Sequence, residues 1–356
     1  MRAPTSLWYP GVREGTAHGL VGRIVRPLIA AGLLPLSWLY CALAQRRRRA
    51  VHAGRVTPIA VGVPVVVVGN ITVGGTGKTP VVIALAEVLT RAGYRVGLVS
   101  RGYGGRGRGV QWVTADSDPA EVGDEAVLLA QRTRCAMAVC RRRPDAAARL
   151  VAHGCTVIVS DDGLQHYRLA RDIELCVVDG AWGLGNRRCL PLGPLREPVE
   201  RLGAVDRILV KRAGPDECEC PLEAAIDHPV DFWLSGNVAV NLRSPARRCP
   251  VRAFADQPVH AVAGIGRPEG FFEALRRQGL TVLPHPQADH QVYRAGTLAF
   301  ADGRPVLMTE KDAVKYRRYA TEAHWVVPVE VVWRDDPGAW LLERLASLGP
   351  PPAGRA

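Results

Sequence analysis

Short apolar runs recur along the middle of the chain, and most of them stop at an asparagine, an aspartate or a basic residue. Six such runs are Val65 to Asn70, Arg95 to Arg101, Ala136 to Cys140, Thr156 to Asp162, Glu174 to Asp179 and Arg207 to Lys211. Continuous Val, Ile and Leu runs of this length are typical of strands covered on both faces, as in parallel sheets. The pattern therefore predicts six buried strands.

Helical patterns separate several of these strands. They cover Thr79 to Ala92, Asp124 to Thr133 and Pro144 to His153. Proline near the start of a segment, as at Pro80, is favoured in the first turn of a helix. Strands that alternate with helices predict an α/β fold with a doubly wound, mostly parallel sheet.

A second, shorter cycle of strand and helix patterns begins at His260 and reads AVAGIG, PEGFFEALRRQG, TVLPHP, PVLM and WVVPVEVVW. It predicts a smaller α/β C-terminal lobe. Before it, strand-like WLSGNVAVNL and a stretch rich in Pro and Arg suggest a linker. The predicted division is an N-terminal segment 1–50, a core 51–232, a linker 233–259, the smaller lobe 260–335, and a C-terminal helix and tail 336–356.

The N-terminal segment carries 18 uncharged residues, Pro27 to Ala44, between Arg23 and Arg26 on one side and Arg46 to Arg49 on the other. A helix that spans a bilayer needs about 20 apolar residues, and the interior Pro35 also disfavours spanning. Export is disfavoured because arginines follow where a signal peptide would have its cleavage site. The pattern favours a helix lying in an anionic membrane surface. A buried first helix with a solvated arginine turn is the alternative.

Length and charge narrow the function classes. The 356 residues predict two packed units or one unit with an insertion. Forty-six basic and 34 acidic residues leave a net charge of +12, which favours phosphates, anionic lipid or nucleic acid as partners. Nine cysteines without paired CxxC spacing predict reduced, cytosolic thiols, with metal binding at Cys218 and Cys220 as a minor alternative. The basic residues include only four lysines, Lys78, Lys211, Lys311 and Lys315.

The strongest local motif is VVVVGNITVGGTGKTP, residues 65 to 80. A buried strand that runs into a glycine-rich turn, a Lys-Thr pair and a helix binds nucleotide phosphates through backbone N–H groups, the lysine and a magnesium-binding hydroxyl. The strict pattern has glycine at position 72, where this chain has threonine. The predicted nucleotide-binding residues are Thr72, Val73, Gly74, Gly75, Thr76, Gly77, Lys78 and Thr79.

Two adjacent acids, Asp161 and Asp162, follow a later strand in TVIVSDDGLQH. Carboxylates at the end of a strand near such a loop bind Mg²⁺ in the Walker-B arrangement. Together with the Thr79 hydroxyl they form the predicted metal site. Asp179 ends another strand and is a second candidate, although an aspartate before Gly180 also suits a simple turn.

With these motifs in place, the chain resembles the tetraacyldisaccharide 4′-kinases of lipid A biosynthesis. The resemblance runs from about Ser6 to Arg318 through the loop above and through SRGYGG, GDEAVLLA, SDDGLQH, LPLGPLREP, AGIGRPEGFF, ADHQVY and MTEKDAVK. The family's loop also carries threonine at the position of Thr72.

The resemblance implies an ATP- and Mg²⁺-dependent P-loop kinase. Its substrate would be an acylated disaccharide 1-phosphate, phosphorylated at the 4′-hydroxyl to give the 1,4′-bisphosphate. It further implies a larger nucleotide-binding lobe, a two-stranded linker, a smaller lobe, and an N-terminal amphipathic helix on the cytoplasmic face of the inner membrane.

The resemblance also assigns residues. A catalytic Asp–His dyad falls on Asp124 and His290, and an Arg–Glu pair falls on Arg196 and Glu197. The magnesium and nucleotide positions fall on Lys78, Thr79, Asp161 and Asp162. Many members have a second His after the one matched by His290, where this chain has Gln291, so no role is predicted at that position.

From the residues alone, Asp124 suits a general base and a helix cap equally, because it opens a predicted helix; the resemblance favours the base. Arg101 and Arg196 are candidates for phosphate binding because a guanidinium offers a planar fork to oxyanions. Further residues predicted to line the site are Tyr103, Glu125, Gln165 and His166. Glu310 and Lys311 are predicted to pair on the surface.

Three functions remain open from the residues: a lipid kinase, a membrane-associated P-loop ATPase that switches conformation, and a nucleic-acid-binding protein. The lipid kinase is favoured because it explains the loop, the acids and the N-terminal segment together. Nucleic acid is disfavoured as a partner because the arginines are dispersed. No obligate protein partner is predicted.

Overall fold

The computed structural model describes residues 5–9, 20–216, 229–289 and 291–349. These form two compact units. One contains the described residues up to Lys78, Ser160–Trp233 and Trp333–Leu345, and the other contains Thr79–Val159, Leu234–Val332 and the described residues from Ala346. The five-part division at residues 50, 232, 259 and 335 stays a prediction. The described part does not include His290, Cys218 or Cys220, nor the side chains of Arg23 and Arg26.

The helices and strands of the described part are as follows. The helices are α1 (Thr5–Trp8), α2 (Leu20–His52), α3 (Lys78–Arg91), α4 (Pro119–Val122), α5 (Asp124–Thr133), α6 (Arg143–Ala152), α7 (Pro268–Arg277), α8 (Glu310–Tyr316) and α9 (Gly338–Ala346). The strands are β1 (Val65–Gly69), β2 (Val96–Ser100), β3 (Gln111–Val113), β4 (Ala136–Val139), β5 (Val157–Asp161), β6 (Ile173–Asp179), β7 (Arg207–Lys211), β8 (Val230–Ser235), β9 (Val238–Asn241), β10 (Arg248–Pro250), β11 (Val259–Ala263), β12 (Val282–Pro286), β13 (Val306–Met308), β14 (His324–Val326) and β15 (Glu330–Trp333).

In the first unit, parallel strands pair in the order β8-β7-β6-β1. Val68 of β1 lies opposite Leu175 of β6, and Val177 of β6 lies opposite Leu209 of β7. Every residue of β1 is buried, as the unbroken valine run requires of a strand covered on both faces. This core fixes the carboxyl end of β1, from which the glycine-rich loop leaves.

In the second unit, β2 and β4 are parallel and β3 adds an antiparallel edge. A separate six-stranded sheet has the order β10-β9-β14-β13-β11-β12, with its parallel pairs among β11 to β14. Phe272 and Leu275 of α7 are buried in the same core cluster as Ala261 and Ala263 of β11. The prediction of a mostly parallel α/β fold with a second, smaller α/β sheet is confirmed.

The six predicted strands and three predicted helices are present, each ending within one residue of its prediction. Two predicted runs are each divided into two strands. WLSGNVAVNL forms β8 and β9 on either side of Gly236. WVVPVEVVW forms β14 and β15 on either side of Pro328, which has no N–H to donate to a ladder.

Helix α2 is longer than predicted, because it continues through Pro27 and Pro35 and includes the arginine run. By length and composition, residues Pro27–His52 could cross a membrane, with a mean hydropathy of 1.7 and only 6% of the apolar window buried. The exposed apolar side chains include Leu28, Ile29, Leu36, Trp38, Leu39 and Leu43. Ser37 is an exception, since its buried hydroxyl donates to the Cys189 carbonyl at 2.7 Å. This exposure argues against a buried first helix.

Candidate active site

The glycine-rich loop occupies residues 70–77, between the end of β1 and the start of α3 at Lys78. Gly74 and Gly77 adopt φ values of 104° and 92°, which a side chain would strain. A Cβ at Gly77 would also lie 3.2 Å from Cδ of Lys211. The loop is therefore built from glycine where the backbone must turn and where a neighbour approaches closely.

A second segment, Pro194 to Arg196, supports the loop through the backbone. The Arg196 N–H donates to the Ile71 carbonyl at 2.7 Å, and the Val73 N–H donates to the Pro194 carbonyl at 2.8 Å. Thr72 is buried between them and forms an isolated bridge with Leu195. The φ angle of Thr72 is not positive. Threonine is therefore compatible with the position where the strict motif has glycine.

Asn70 also supports the loop, a role that the sequence pattern did not predict. It is fully buried, and its amide donates to the Thr76 hydroxyl at 3.3 Å and to the Gly74 carbonyl at 3.5 Å. These bonds cross the loop from one side to the other. The available signal was an asparagine directly after a fully apolar strand, where a buried amide needs partners.

The paired acids lie where the sequence predicts them. Asp161 ends β5 and is buried, and Asp162 follows with a left-handed backbone, φ 49°, which aspartate tolerates better than most residues. Asp162 Oδ1 lies 3.4 Å from Nζ of Lys78. Arg196 donates to both Asp162 oxygens, at 3.1 and 3.0 Å. Three predicted residues, Lys78, Asp162 and Arg196, are thus in direct contact.

Behind this contact, Glu197 organises the next layer. The buried Glu197 carboxylate accepts hydrogen bonds from Gln165 Nε2 at 3.0 Å and from the Tyr167 hydroxyl. Gln165 also donates to the Asn70 carbonyl at 2.9 Å. Burial, followed by the Glu197 charge, raises the pKa of Tyr167. In this structure Glu197 and Gln165 therefore brace the loop, and any direct contact with substrate stays a prediction.

The donor set suits Mg²⁺. The Thr79 hydroxyl and the carboxylates of Asp161 and Asp162 are oxygen ligands, which Mg²⁺ prefers. In the described part of the chain, no group of three or more His, Cys, Asp or Glu side chains could hold a metal by itself. The assignment of Mg²⁺ to Thr79, Asp161 and Asp162 stays a prediction. The other candidate, Asp179, is 4% exposed and lies 2.5 Å from Nζ of Lys211.

The predicted catalytic aspartate lies in the second unit. Asp124 is the first residue of α5 and is buried, and its Oδ1 accepts the Glu125 N–H at 2.9 Å. The residue that caps α5 is Gly123, with φ 93°, and a Cβ there would lie 2.6 Å from the Tyr103 carbonyl oxygen. Capping alone therefore does not explain a carboxylate at position 124.

Two lysines of α8 face the start of α5. Lys311 Nζ lies 3.0 Å from Glu125 and 2.8 Å from Asp289, and Lys315 Nζ lies 3.9 Å from Asp124. The prediction that Glu310 and Lys311 pair on the surface is wrong. The Lys311 side chain is only 11% exposed, and Glu310 pairs instead with Arg132.

The remaining predicted residues keep their roles as predictions. Arg101 and Tyr103 lie exposed just after β2. The His166 N–H donates to the Gly163 carbonyl at 2.9 Å in the turn that follows the paired acids. The Gln291 N–H donates to the Ala288 carbonyl at 3.0 Å, so this position lies in a local turn.

A buried parallel strand that leads into this loop, with Lys78 held against an acid at the end of another strand, defines a P-loop nucleoside-triphosphate-binding protein. The chain belongs to the Tetraacyldisaccharide-1-P 4′-kinase family, whose model matches residues 29–346. The resemblance seen in the sequence is thereby confirmed.

Individual relatives agree with this assignment. A tetraacyldisaccharide 4′-kinase from Azoarcus sp. (strain BH72) is 51% identical over 321 residues, 90% of this chain and 93% of that protein. Another from Alkalilimnicola ehrlichii is 49% identical, over 85% of this chain and 88% of that protein. The crystal structure of LpxK from Aquifex aeolicus in complex with ATP is similar, with a TM-score of 0.72, 25% identity, and coverage of 90% of this chain and 99% of that one.

Asparagine in place of either paired acid should raise the magnesium requirement. For Asp161→Asn and Asp162→Asn, we expect the Mg²⁺ concentration that gives half-maximal activity to rise about tenfold or more, because an amide is a poorer ligand than a carboxylate. Magnesium titrations of initial rate measure the effect. Asp145→Asn is the matched control, since Asp145 is 43% exposed in the first turn of α6 and belongs to no predicted metal site. A parental Mg²⁺ dependence in both variants would place the metal elsewhere.

Proposed function

We propose that this chain transfers the γ-phosphate of ATP to the 4′-hydroxyl of a tetraacylated glucosamine disaccharide 1-phosphate, giving the 1,4′-bisphosphate in lipid A biosynthesis. The family match over residues 29–346 carries the proposal. The loop lysine next to the strand-end acid supplies the chemistry of phosphoryl transfer. ATP is the phosphate donor, and Mg²⁺ accompanies it.

Phosphoryl transfer depends mostly on positioning and on neutralising the charge of the transferring group. In the proposal the N–H groups of residues 74–77 bind phosphate oxygens, and Lys78 and Arg196 neutralise them. The Val73 N–H already donates to the Pro194 carbonyl. Lys78 and Arg196 both contact the Asp162 carboxylate, which holds the two side chains in place. Bound phosphate oxygens would compete with this carboxylate for the two cations. When bound, Mg²⁺ would be held by Thr79, Asp161 and Asp162 and would neutralise further charge.

Asp124 is proposed as the group that accepts the proton of the acceptor hydroxyl. A sugar hydroxyl has a very high pKa, so its proton leaves late in the transfer and a nearby carboxylate suffices as base. The burial of Asp124 and the two lysines that face α5 support this role. His290 is proposed as its partner by family resemblance, and it lies outside the described residues.

A P-loop ATPase that only switches conformation would use the same loop. The dependence of ADP release on the acceptor separates the two functions, because a kinase forms one ADP for each acceptor molecule that it phosphorylates. We expect the rate to depend on the acylated disaccharide 1-phosphate and to saturate with it. Equal ADP release with and without this acceptor would contradict the kinase proposal.

Membrane association is the second part of the proposal. Helix α2 would lie in the headgroup layer on the cytoplasmic face of the inner membrane, with Leu36, Trp38 and Leu39 in contact with acyl chains. These side chains are 53%, 62% and 57% exposed. The arginine run Arg46 to Arg49 would meet anionic headgroups. A multi-acyl substrate leaves a bilayer with difficulty, since each buried CH₂ is worth about 0.8 kcal/mol. No nucleic acid or obligate protein partner enters the proposal.

Polar substitution of α2 should separate lipid binding from ATP binding. Serine at Leu36, Trp38, Leu39 and Leu43 is expected to reduce binding to anionic vesicles and to raise KM for the lipid, with KM for ATP unchanged. Vesicle sedimentation at low and high salt, beside an ATP titration, measures both quantities. Leu348→Ser, an exposed apolar position outside α2, is the control. Parental vesicle binding by the α2 variant would exclude the interfacial role.

A further inference from the structure

We propose that Lys311 and Lys315, one turn apart on α8, are positioning residues that set the charge and orientation of Asp124 and Glu125. The inference rests on the proposed function, in which Asp124 accepts the acceptor's proton. It concerns residues of α8 and α5, which pack together within the second unit.

Lysine is rare in this chain, and every lysine lies close to a carboxylate. Forty-six residues are Lys or Arg, and only four are lysines. Each of the four lies within 4 Å of an acid. A lysine ammonium is a compact point charge, whereas arginine presents a wide planar fork. Two of these four lysines lie on the seven-residue helix α8, next to the start of α5.

Lys315 occupies a fixed and nearly dry position. Its side chain is 9% exposed, and Nζ lies 3.2 Å from Asp312 and 5.1 Å from the centre of the Tyr293 ring. Asp312 is fully buried and accepts hydrogen bonds from Tyr293 at 2.8 Å and from the Gly264 N–H at 2.7 Å. Asp312 therefore anchors Lys315, which leaves a positive charge 3.9 Å from Asp124 Oδ2.

This charge offsets the cost of burying Asp124. Burial and neighbouring negative charge favour a protonated carboxyl, whereas a nearby ammonium favours the ionised form. Lys315 contacts Asp124, while Lys311 contacts the neighbouring Glu125. On α4, which also packs against α5, the acid Glu121 pairs with Arg106. The proposed partner of Asp124, His290, lies outside the described residues. Each ammonium therefore favours the ionised form of the carboxylate beside it, and the loss of one leaves an excess of negative charge at the start of α5.

Lys311 performs the same task for Glu125. Its ammonium lies between Glu125 and Asp289, and so joins the start of α5 to the segment that follows β12. Burial alone would lower the pKa of Lys311, but the charges of Glu125, Asp124 and Asp289 outweigh burial and raise it. Lys311 therefore remains charged throughout the working pH range.

The test is the pH dependence of kcat in Lys315→Met. We expect kcat at neutral pH to fall about tenfold or more, and KM for ATP to stay within about twofold of the parent. We also expect the acidic limb of the kcat profile to move up by about one pH unit, because Asp124 gains a proton more easily. Lys315→Arg, which keeps the charge, should keep the limb near its parental position. Lys311→Met should move it in the same direction by less.

Lys311→Met is the second variant. It removes the ammonium that lies 3.0 Å from Glu125, so its shift of the acidic limb, although smaller, should have the same sign. This variant keeps the proposal testable if Lys315→Met fails to fold, and thermal melting monitored by circular dichroism identifies such failure. A purely structural role predicts no shift in either folded variant.

Asp124→Asn separates this inference from the proposed function. If Asp124→Asn retains parental kcat, Asp124 is not the base and the proposed mechanism fails. If Asp124→Asn is inactive while the folded lysine variants keep the parental pH profile, the base assignment stands and the positioning role is overturned.

Discussion

Replacing Lys78 with alanine should lower kcat for phosphate transfer about 10²- to 10³-fold, as expected for loss of one fixed charge that stabilises a transition state. The ammonium lies 3.4 Å from Asp162 at the end of β5, and no other lysine belongs to the loop. Arg196 also contacts Asp162, so this carboxylate keeps a cationic partner in the variant and the fold should persist.

Initial rates at saturating ATP and lipid, with circular dichroism to verify folding, measure this effect. Arg142→Ala is the control for loss of a positive charge, since its side chain is 62% exposed and pairs only weakly with Asp145. Near-parental turnover by folded Lys78→Ala would end the P-loop assignment.

Asp124→Asn should lower kcat about 10²- to 10⁴-fold, the usual contribution of a general base, while KM for ATP stays near the parental value. The amide fills nearly the same volume and can accept the same hydrogen bond from the Glu125 N–H. It cannot accept the proton of the acceptor. A fall in kcat without a change in nucleotide binding would therefore reflect chemistry and not folding.

Asp145→Asn is the matched control because Asp145 also lies in the first turn of a helix, α6, where an acid favours the helix dipole. It should cost at most a little stability and leave kcat unchanged. Parental kcat in Asp124→Asn would exclude Asp124 as the base.

Much of the fold could be predicted because local patterns determine it. The valine run of β1 and the apolar run before Asp161 are buried on both faces, so their composition alone identifies strands. The helix after the loop begins at Lys78, and Pro80 lies in its first turn. The loop, its lysine and the paired acids are close in sequence to those strands, so they could be placed as well.

Contacts between distant segments could not be predicted from local pattern. Lys311 and Glu125 lie 186 positions apart, and only tertiary packing brings α8 against α5. The support that Pro194 and Arg196 give to the loop backbone depends on pairing between distant segments in the same way. In α2 the local pattern was misleading. Proline disfavours the interior of a helix, but Pro27 and Pro35 lie inside one continuous helix.

The most direct test of the central claim follows the γ-phosphate of labelled ATP onto the acylated disaccharide 1-phosphate, with the deacylated disaccharide in parallel. The account predicts label at the 4′-position of the acylated product, much less label on the deacylated compound, and loss of both in Lys78→Ala. ADP formed at the full rate with no labelled disaccharide would contradict it.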